Sequence, residues 1–224
     1  MHLIDLQGFL SELRENNQRA WMTMNRPRYD ILRKEFLEFV TDLIGTLGKT
    51  DPEIADCNPA KALFRINRDI RFSQDKSPYK TTFSASVIPN GRKKPSDGGG
   101  PAYYFHFNAD GQMLFAAGEY IPPPARLKQI RHHLISDGDR FLQAVHSPSF
   151  TAHFRELLAE GKLIRPPKGF PADHPMADWL KYKSFIAVQE STYQGTSSAE
   201  IMQQLCHAYQ SAQPFIHWLR SCHE

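Results

Sequence analysis

The chain has 224 residues, 41% of them hydrophobic, and a formal net charge of +3. That length can bury a substantial core, and the small net charge gives no ground by itself for nucleic-acid binding. Three cysteines, Cys57, Cys206 and Cys222, form no C-x-x-C pair and imply no disulfide framework. The first residues turn polar too soon for a signal peptide, and no run of about 18 apolar residues is available to span a bilayer. A cytoplasmic protein without a membrane partner is the expectation.

The N-terminal third reads as helical. Leu6, Phe9, Leu10 and Leu13 recur at helical spacing, with Asp5 as an N-cap, and Asn16 or Asn17 can cap a short helix around Trp21. Pro27 opens a longer helix, in which Tyr29, Leu32, Phe36, Phe39, Val40, Leu43 and Leu47 form one apolar stripe and Gly48 marks the stop. A stripe of this kind is core.

After Pro59 the period changes to two. Phe64, Ile66, Ile70 and Phe72 share one parity, while Arg65, Asn67, Asp69 and Arg71 share the other, as in a strand with one buried face. Arg68 falls on the apolar side, which requires either a bulge near Asp69 or a buried arginine held by Asp69, Asp75 or Glu190. Further strands are expected over residues 82–88, 103–108 and 113–118, the last two joined by the turn Asn108-Ala109-Asp110-Gly111. The stretch PNGRKKPSDGGGPA reads as a surface loop without a phosphate-cradling pattern, a lid over the arginines being the alternative.

Helical spacing returns at residues 124–135. Ser147-Pro148 starts another helix that ends near Gly161, and a proline-rich link leads to a short helix at Trp179. Residues 184–190 read as the last strand, and Ser197-x-x-Glu200 is a capping box for a terminal helix reaching Trp218. The fold expected is α+β: one domain over residues 1–224, with a mainly antiparallel sheet of about five strands packed against the N-terminal and C-terminal helices.

Residues 61–94 hold nine basic residues against two acids, a local charge of +7 that leaves −4 for the rest of the chain. A confined positive field of this kind attracts a small anion better than it coats a long polyanion. Arginine forks and lysine point charges suit phosphate or carboxylate. Arg65, Arg71, Lys76, Tyr79 and Lys80 are therefore the candidate anion-binding residues, with Arg68, Asp69 and Asp75 as orienting or scaffold residues.

The stretch Arg65-x-x-Arg68-Asp69-x-Arg71-Phe72, followed by Asp75-Lys76 and Tyr79, resembles the hallmark of a bacterial family of uncharacterised proteins. The family is catalogued only as a domain of unknown function. Asn16-Asn17-x-Arg19-x-Trp21, Pro78-Tyr79-Lys80, Tyr103-Tyr104 with Gly111 and Gly118, Lys168-Gly169-Phe170 and Asp173-His174-Pro175 are similar to it as well. The resemblance covers nearly the whole chain and implies no activity.

Familiar catalytic signatures are absent. H-E-x-x-H, G-x-S-x-G and G-x-G-x-x-G do not occur, and no histidine pairs with a carboxylate at ligand spacing, so neither a metal nor a cofactor is expected. Ser73-x-x-Lys76 and Ser77-x-x-Lys80 match the nucleophile–base spacing of penicillin-recognising acylases without that family's partner motifs. Asp69 between arginines is held ionised and suits orientation better than proton donation. His106 and His174 could shuttle protons, yet nothing in the sequence places either beside the cluster. Three readings follow: an enzyme or sensor for a small phosphorylated or carboxylated anion, a nucleic-acid-associated module using the same basic segment, and an interaction protein whose arginines form an internal ion network.

Overall fold

Helix formation begins with apolar spacing. The computed structural model describes residues 1–71, 74–89 and 100–222. In α1 (Leu3–Glu15), Leu6, Phe9, Leu10 and Leu13 are fully buried. His2 rather than Asp5 is its N-cap, and Asp5 lies in the first turn, where a carboxylate favours the helix dipole. Helix α2 (Arg19–Met24) starts after Gln18, since Asn17 is engaged elsewhere. Helix α3 (Arg26–Leu47) has Pro27 in its first turn and buries every residue of the expected stripe.

A 3-10 turn at Pro52–Ile54 and helix α4 (Pro59–Ala62) lead to the sheet. Its strands are β1 (Thr82–Val87), β2 (Ala102–Asn108), β3 (Gln112–Glu119) and β4 (Phe185–Thr192), antiparallel in the order β1-β2-β3-β4. The sheet has four strands, not five. The segment expected as a first strand makes only isolated bridges, Leu63 with Ala85 and Asn67 with Tyr79, because it changes pairing partner partway along. Phe72 and Ser73 lie outside the described residues, as do residues 90–99 of the expected loop.

Helices α5 (Pro124–Val145), α6 (Pro148–His153) and α7 (Ser198–Arg220) complete the elements, with a 3-10 turn at Trp179–Lys181. Helix α6 ends well before Gly161, at Phe154, whose backbone is extended. The capping box of α7 is formed: Ser197 N–H donates to Glu200 at 2.8 Å, and Glu200 N–H donates to Ser197 Oγ at 3.2 Å.

Contacts divide the chain into two compact units. The first comprises Met1–Gly91, Tyr104–Phe115 and Glu190–Cys206. Its core is aromatic: the Phe36 ring lies 5.5 Å from Phe83 and 5.6 Å from Phe105, and Phe9 lies 6.1 Å from Tyr29. Each such pair adds about 0.5–1.5 kcal/mol beyond simple burial. The β2–β3 turn is fixed by Asn108, whose side-chain oxygen accepts the Asp110 and Gln112 N–H groups, and Gly111 takes the left-handed conformation that the turn needs (φ 74°).

The second unit comprises Arg92–Tyr103, Ala116–Gln189 and His207–Glu224. Phe141 is its aromatic centre, 4.9 Å from both Trp179 and Trp218. Helix α5 kinks at Asp137 (φ −138°, ψ 35°), and Trp218 Nε1 donates to the Asp137 carbonyl at 3.0 Å, giving that carbonyl a partner at the break. Gly118 has φ 132°, and a Cβ there would collide with the backbone of Phe185 and Ile186.

Candidate anion-binding site

The charged segment begins as a continuation of the sheet. Asn58 Oδ1 caps α4 by accepting the Lys61 N–H, and Phe64 N–H then donates to the Ser84 carbonyl at 3.0 Å. Past Arg65 the pairing switches. Lys80 N–H donates to the Ile66 carbonyl at 2.7 Å and Arg68 N–H to the Pro78 carbonyl at 2.9 Å, so residues 66–68 and 78–80 make a short ribbon of their own. The two-residue period holds along it: Ile66 is 7% exposed, while Arg65 and Asn67 face solvent. It fails at the tip, where Ile70 is 37% exposed.

At the tip most charges find partners within a few residues. The Arg71 fork donates to both Asp69 carboxylate oxygens, at 3.0 and 2.7 Å. Those bonds hold the Asp69 carboxyl well below the ordinary carboxylate range, aided by the Arg71 N–H and, more weakly, by the field of Arg65. Lys76 Nζ donates to the Ile70 carbonyl at 2.9 Å. Asp75 accepts the Ser77 N–H at 2.9 Å, and its other oxygen lies 3.0 Å from Arg68 Nη1. Arg68 also donates to the Tyr79 carbonyl at 3.4 Å. It is thus neither buried outright nor free, but half-buried with a carboxylate and a carbonyl. The Tyr79 ring is packed away at 9% exposed. Ser77 and Lys80 are not on a helix, so their spacing does not set a nucleophile one turn from a base.

Arg65 and Lys80 differ from the rest. Among the described residues neither has an ion pair with a carboxylate. The Lys80 ammonium sits 5.3 Å over the Phe64 ring. Burial and then the like charges of Arg65 and Arg68 hold its pKa below that of an ordinary lysine. Asp75 pairs with the nearby Arg68, and Asp69 feels the field of Arg65, but Arg65 and Lys80 have no ion-pair partner among the described residues and so add positive charge to the site.

This charge continues into a polar face of the sheet that the sequence did not connect with it. The Phe64 ring lies 6.0 Å from Tyr104, and the Tyr104 hydroxyl lies 3.1 Å from His106 Nδ1. Tyr104 also hydrogen-bonds Ser84, and burial raises its pKa. Burial lowers the pKa of His106, against an opposing pull from Glu190, so its imidazole is neutral near pH 7. Ser84 and Ser86 are buried on this face, and Ser86 Oγ has no hydrogen-bond partner among the described residues. The alternation of polar Tyr104, His106 and Asn108 with apolar residues in β2 was the available signal. His174 has a local role: its Nδ1 accepts the Met176 N–H at 3.1 Å.

The family model described as a conserved hypothetical protein (DUF2461) matches residues 5–218. The chain belongs to this family. No curated protein and no solved structure matches it. Among the described residues no helix is long and apolar enough to cross a membrane.

Proposed function

We propose that this family member binds a small phosphorylated or carboxylated ligand, with Arg65 and Lys80 holding the anionic end. The observation that carries this reading is the pairing pattern of the cations. Arg71, Lys76 and Arg68 engage groups of the ribbon tip, whereas Arg65 and the half-buried Lys80 are close enough to repel each other and neither has an ion-pair partner among the described residues. An anion there would offset their mutual repulsion and replace water around groups already partly desolvated. Phosphate is preferred to carboxylate because it offers oxygens to both the guanidinium and the ammonium.

Tyr104 and His106 give the reading its enzymatic side. A neutral imidazole beside a phenol can accept or relay a proton from the body of a ligand whose charged end rests at Lys80. A sensor would need the same cations without that proton traffic. The internal ion network is the competing reading, supported by the pairing of Asp69 with Arg71 and of Asp75 with Arg68. Nucleic-acid association ranks behind the small ligand, because Arg68 and Arg71 are already paired with carboxylates and a backbone-binding surface needs many cations that are not.

A thermal-shift series with inorganic phosphate, pyrophosphate, sugar phosphates and nucleotides tests the proposal against chloride at matched ionic strength. A true ligand at a hundred times its Kd adds about 2.7 kcal/mol of stability. Shifts no larger than those of chloride would remove the small-anion reading. Binding of a long oligonucleotide that weakens steeply from about 50 to 200 mM salt would favour the nucleic-acid one.

A further inference from the structure

The second unit contains a cleft unlike the charged ribbon. It encloses about 390 Å³ and is lined in part by Trp179, Tyr182, Arg155, Glu156, Lys162 and Asp178. That volume falls near the lower end of the range of about 300–1,000 Å³ usual for ligand pockets, which suits a single-ring or indole-sized molecule. The Trp179 and Tyr182 rings are stacked, 5.2 Å apart with an interplanar angle of 24°. The Trp179 ring also lies 4.9 Å from Phe141 and 6.1 Å from His146, and as it is half-buried, what is left exposed of it lines the cleft.

The aromatic wall is held by an unusual investment. Arg131 is 8% exposed and makes no ion pair with a described residue; its guanidinium donates to the Leu180 carbonyl at 2.8 Å and to the Tyr182 carbonyl at 3.0 Å. Burying a cation against carbonyls alone is costly. Here it holds the backbone at Leu180 and Tyr182, within the segment that presents Trp179 and Tyr182. The facing segment is anchored as well, by a bridge between Leu157 and Ala187 and by the Leu158 N–H, which donates to the Ile186 carbonyl at 2.8 Å. Rigid walls of this kind are what a preorganised site requires.

The cleft is lined by charges of both signs. Asp178 pairs with Lys162 at 2.6 Å and with Lys181 at 3.0 Å, and the Lys162 ammonium lies 4.4 Å over the Tyr182 ring. Arg155 and Glu156 are both exposed and make no ion pair with a described residue, which leaves one cation and one anion uncommitted. An uncommitted cation beside an uncommitted anion disfavours a polyanion and favours a ligand carrying both signs. We infer that this cleft binds a small aromatic zwitterion of the aromatic amino-acid class, its ring against Trp179, its carboxylate at Arg155 and its ammonium at Glu156.

Isothermal titration of the whole chain with L-tryptophan, tryptamine and indolepropionate tests the assignment. L-Tryptophan should bind at one site per chain. Tryptamine, lacking the carboxylate, and indolepropionate, lacking the ammonium, should each bind at least about tenfold more weakly, as loss of one charge-assisted contact implies. Arg155→Gln and Glu156→Gln change exposed side chains, so the fold is kept, and each should weaken L-tryptophan by a similar factor while leaving any phosphate response of Arg65 and Lys80 intact. Trp179→Leu should abolish binding. The inference is overturned if L-tryptophan gives no saturable heat, if its two half-charged analogues match it, or if the Arg155 and Glu156 variants bind as the parent does.

Discussion

Asn17 and Tyr79 are 62 residues apart in sequence and exchange two hydrogen bonds: Tyr79 N–H donates to Asn17 Oδ1 at 3.0 Å, and Asn17 Nδ2 donates to the Tyr79 carbonyl at 3.0 Å. The side-chain amide thus copies one rung of a β-ladder. It ties the chain between α1 and α2 to the returning arm of the charged ribbon, and so fixes where Lys80 begins.

Removing that rung should loosen the ribbon. Asn17→Ala leaves the Tyr79 N–H without its partner and should cost about 1–3 kcal/mol in urea unfolding. Asn17→Asp keeps the acceptor but sets a carboxylate against a carbonyl, and should be no better than alanine. A loss below about 0.5 kcal/mol for both would mean that water replaces the amide without penalty.

Arg65 and Lys80 separate from Arg68 in the same assay. Arg65→Ala removes an exposed cation without an ion pair and should leave stability within about 0.5 kcal/mol while abolishing the phosphate-dependent thermal shift. Arg68→Ala loses a partly screened ion pair and a bond to the Tyr79 carbonyl, for about 1–2 kcal/mol. Equal losses of stability for the two variants, with the phosphate response unchanged, would make the whole cluster structural.

Stability should fall on acidification from neutral pH in part through His106. Its folded pKa lies below the ordinary value, so between the two the unfolded chain binds the proton that the folded one does not. The contribution is complete above about pH 6.5 and is lost as pH drops through the folded pKa. His153, also lowered by burial, acts in the same sense. His106→Asn should therefore flatten the dependence of Tm on pH between about 5 and 7 without abolishing it. An unchanged slope would show that burial does not hold His106 neutral.

Gly118→Ala should be among the most damaging single substitutions. The residue has φ 132°, and its new Cβ would lie 2.7 Å from Ile186 Cα and closer still to the Phe185 carbonyl. Backbone strain and collision with a neighbouring strand should together cost more than about 3 kcal/mol by thermal or urea unfolding. Near-parent stability would mean that β4 shifts freely at that point.

Local periodicity was legible in the chain. The α3 stripe from Tyr29 to Leu47, the turn at Asn108–Gly111, the Ser197–Glu200 box and the alternation from Arg65 to Asn67 each depend on neighbours within one or two turns or strand residues, and those geometries repeat with the backbone. Fold class followed from them. The strand count did not, because the segment after Leu63 leaves β1 for the arm at 78–80, and only through-space register decides such a switch. Charge pairing was hidden for the same reason: spacing made Arg65, Arg71, Lys76 and Lys80 equivalent cations. The tip conformation gave Arg71 a carboxylate and Lys76 a carbonyl, while burial beside Phe64 set Lys80 near Arg65 and in line with Tyr104 and His106. A side chain's type fixes what it can bind, but the partner is chosen by distances of a few ångströms that arise only when separate segments are folded together.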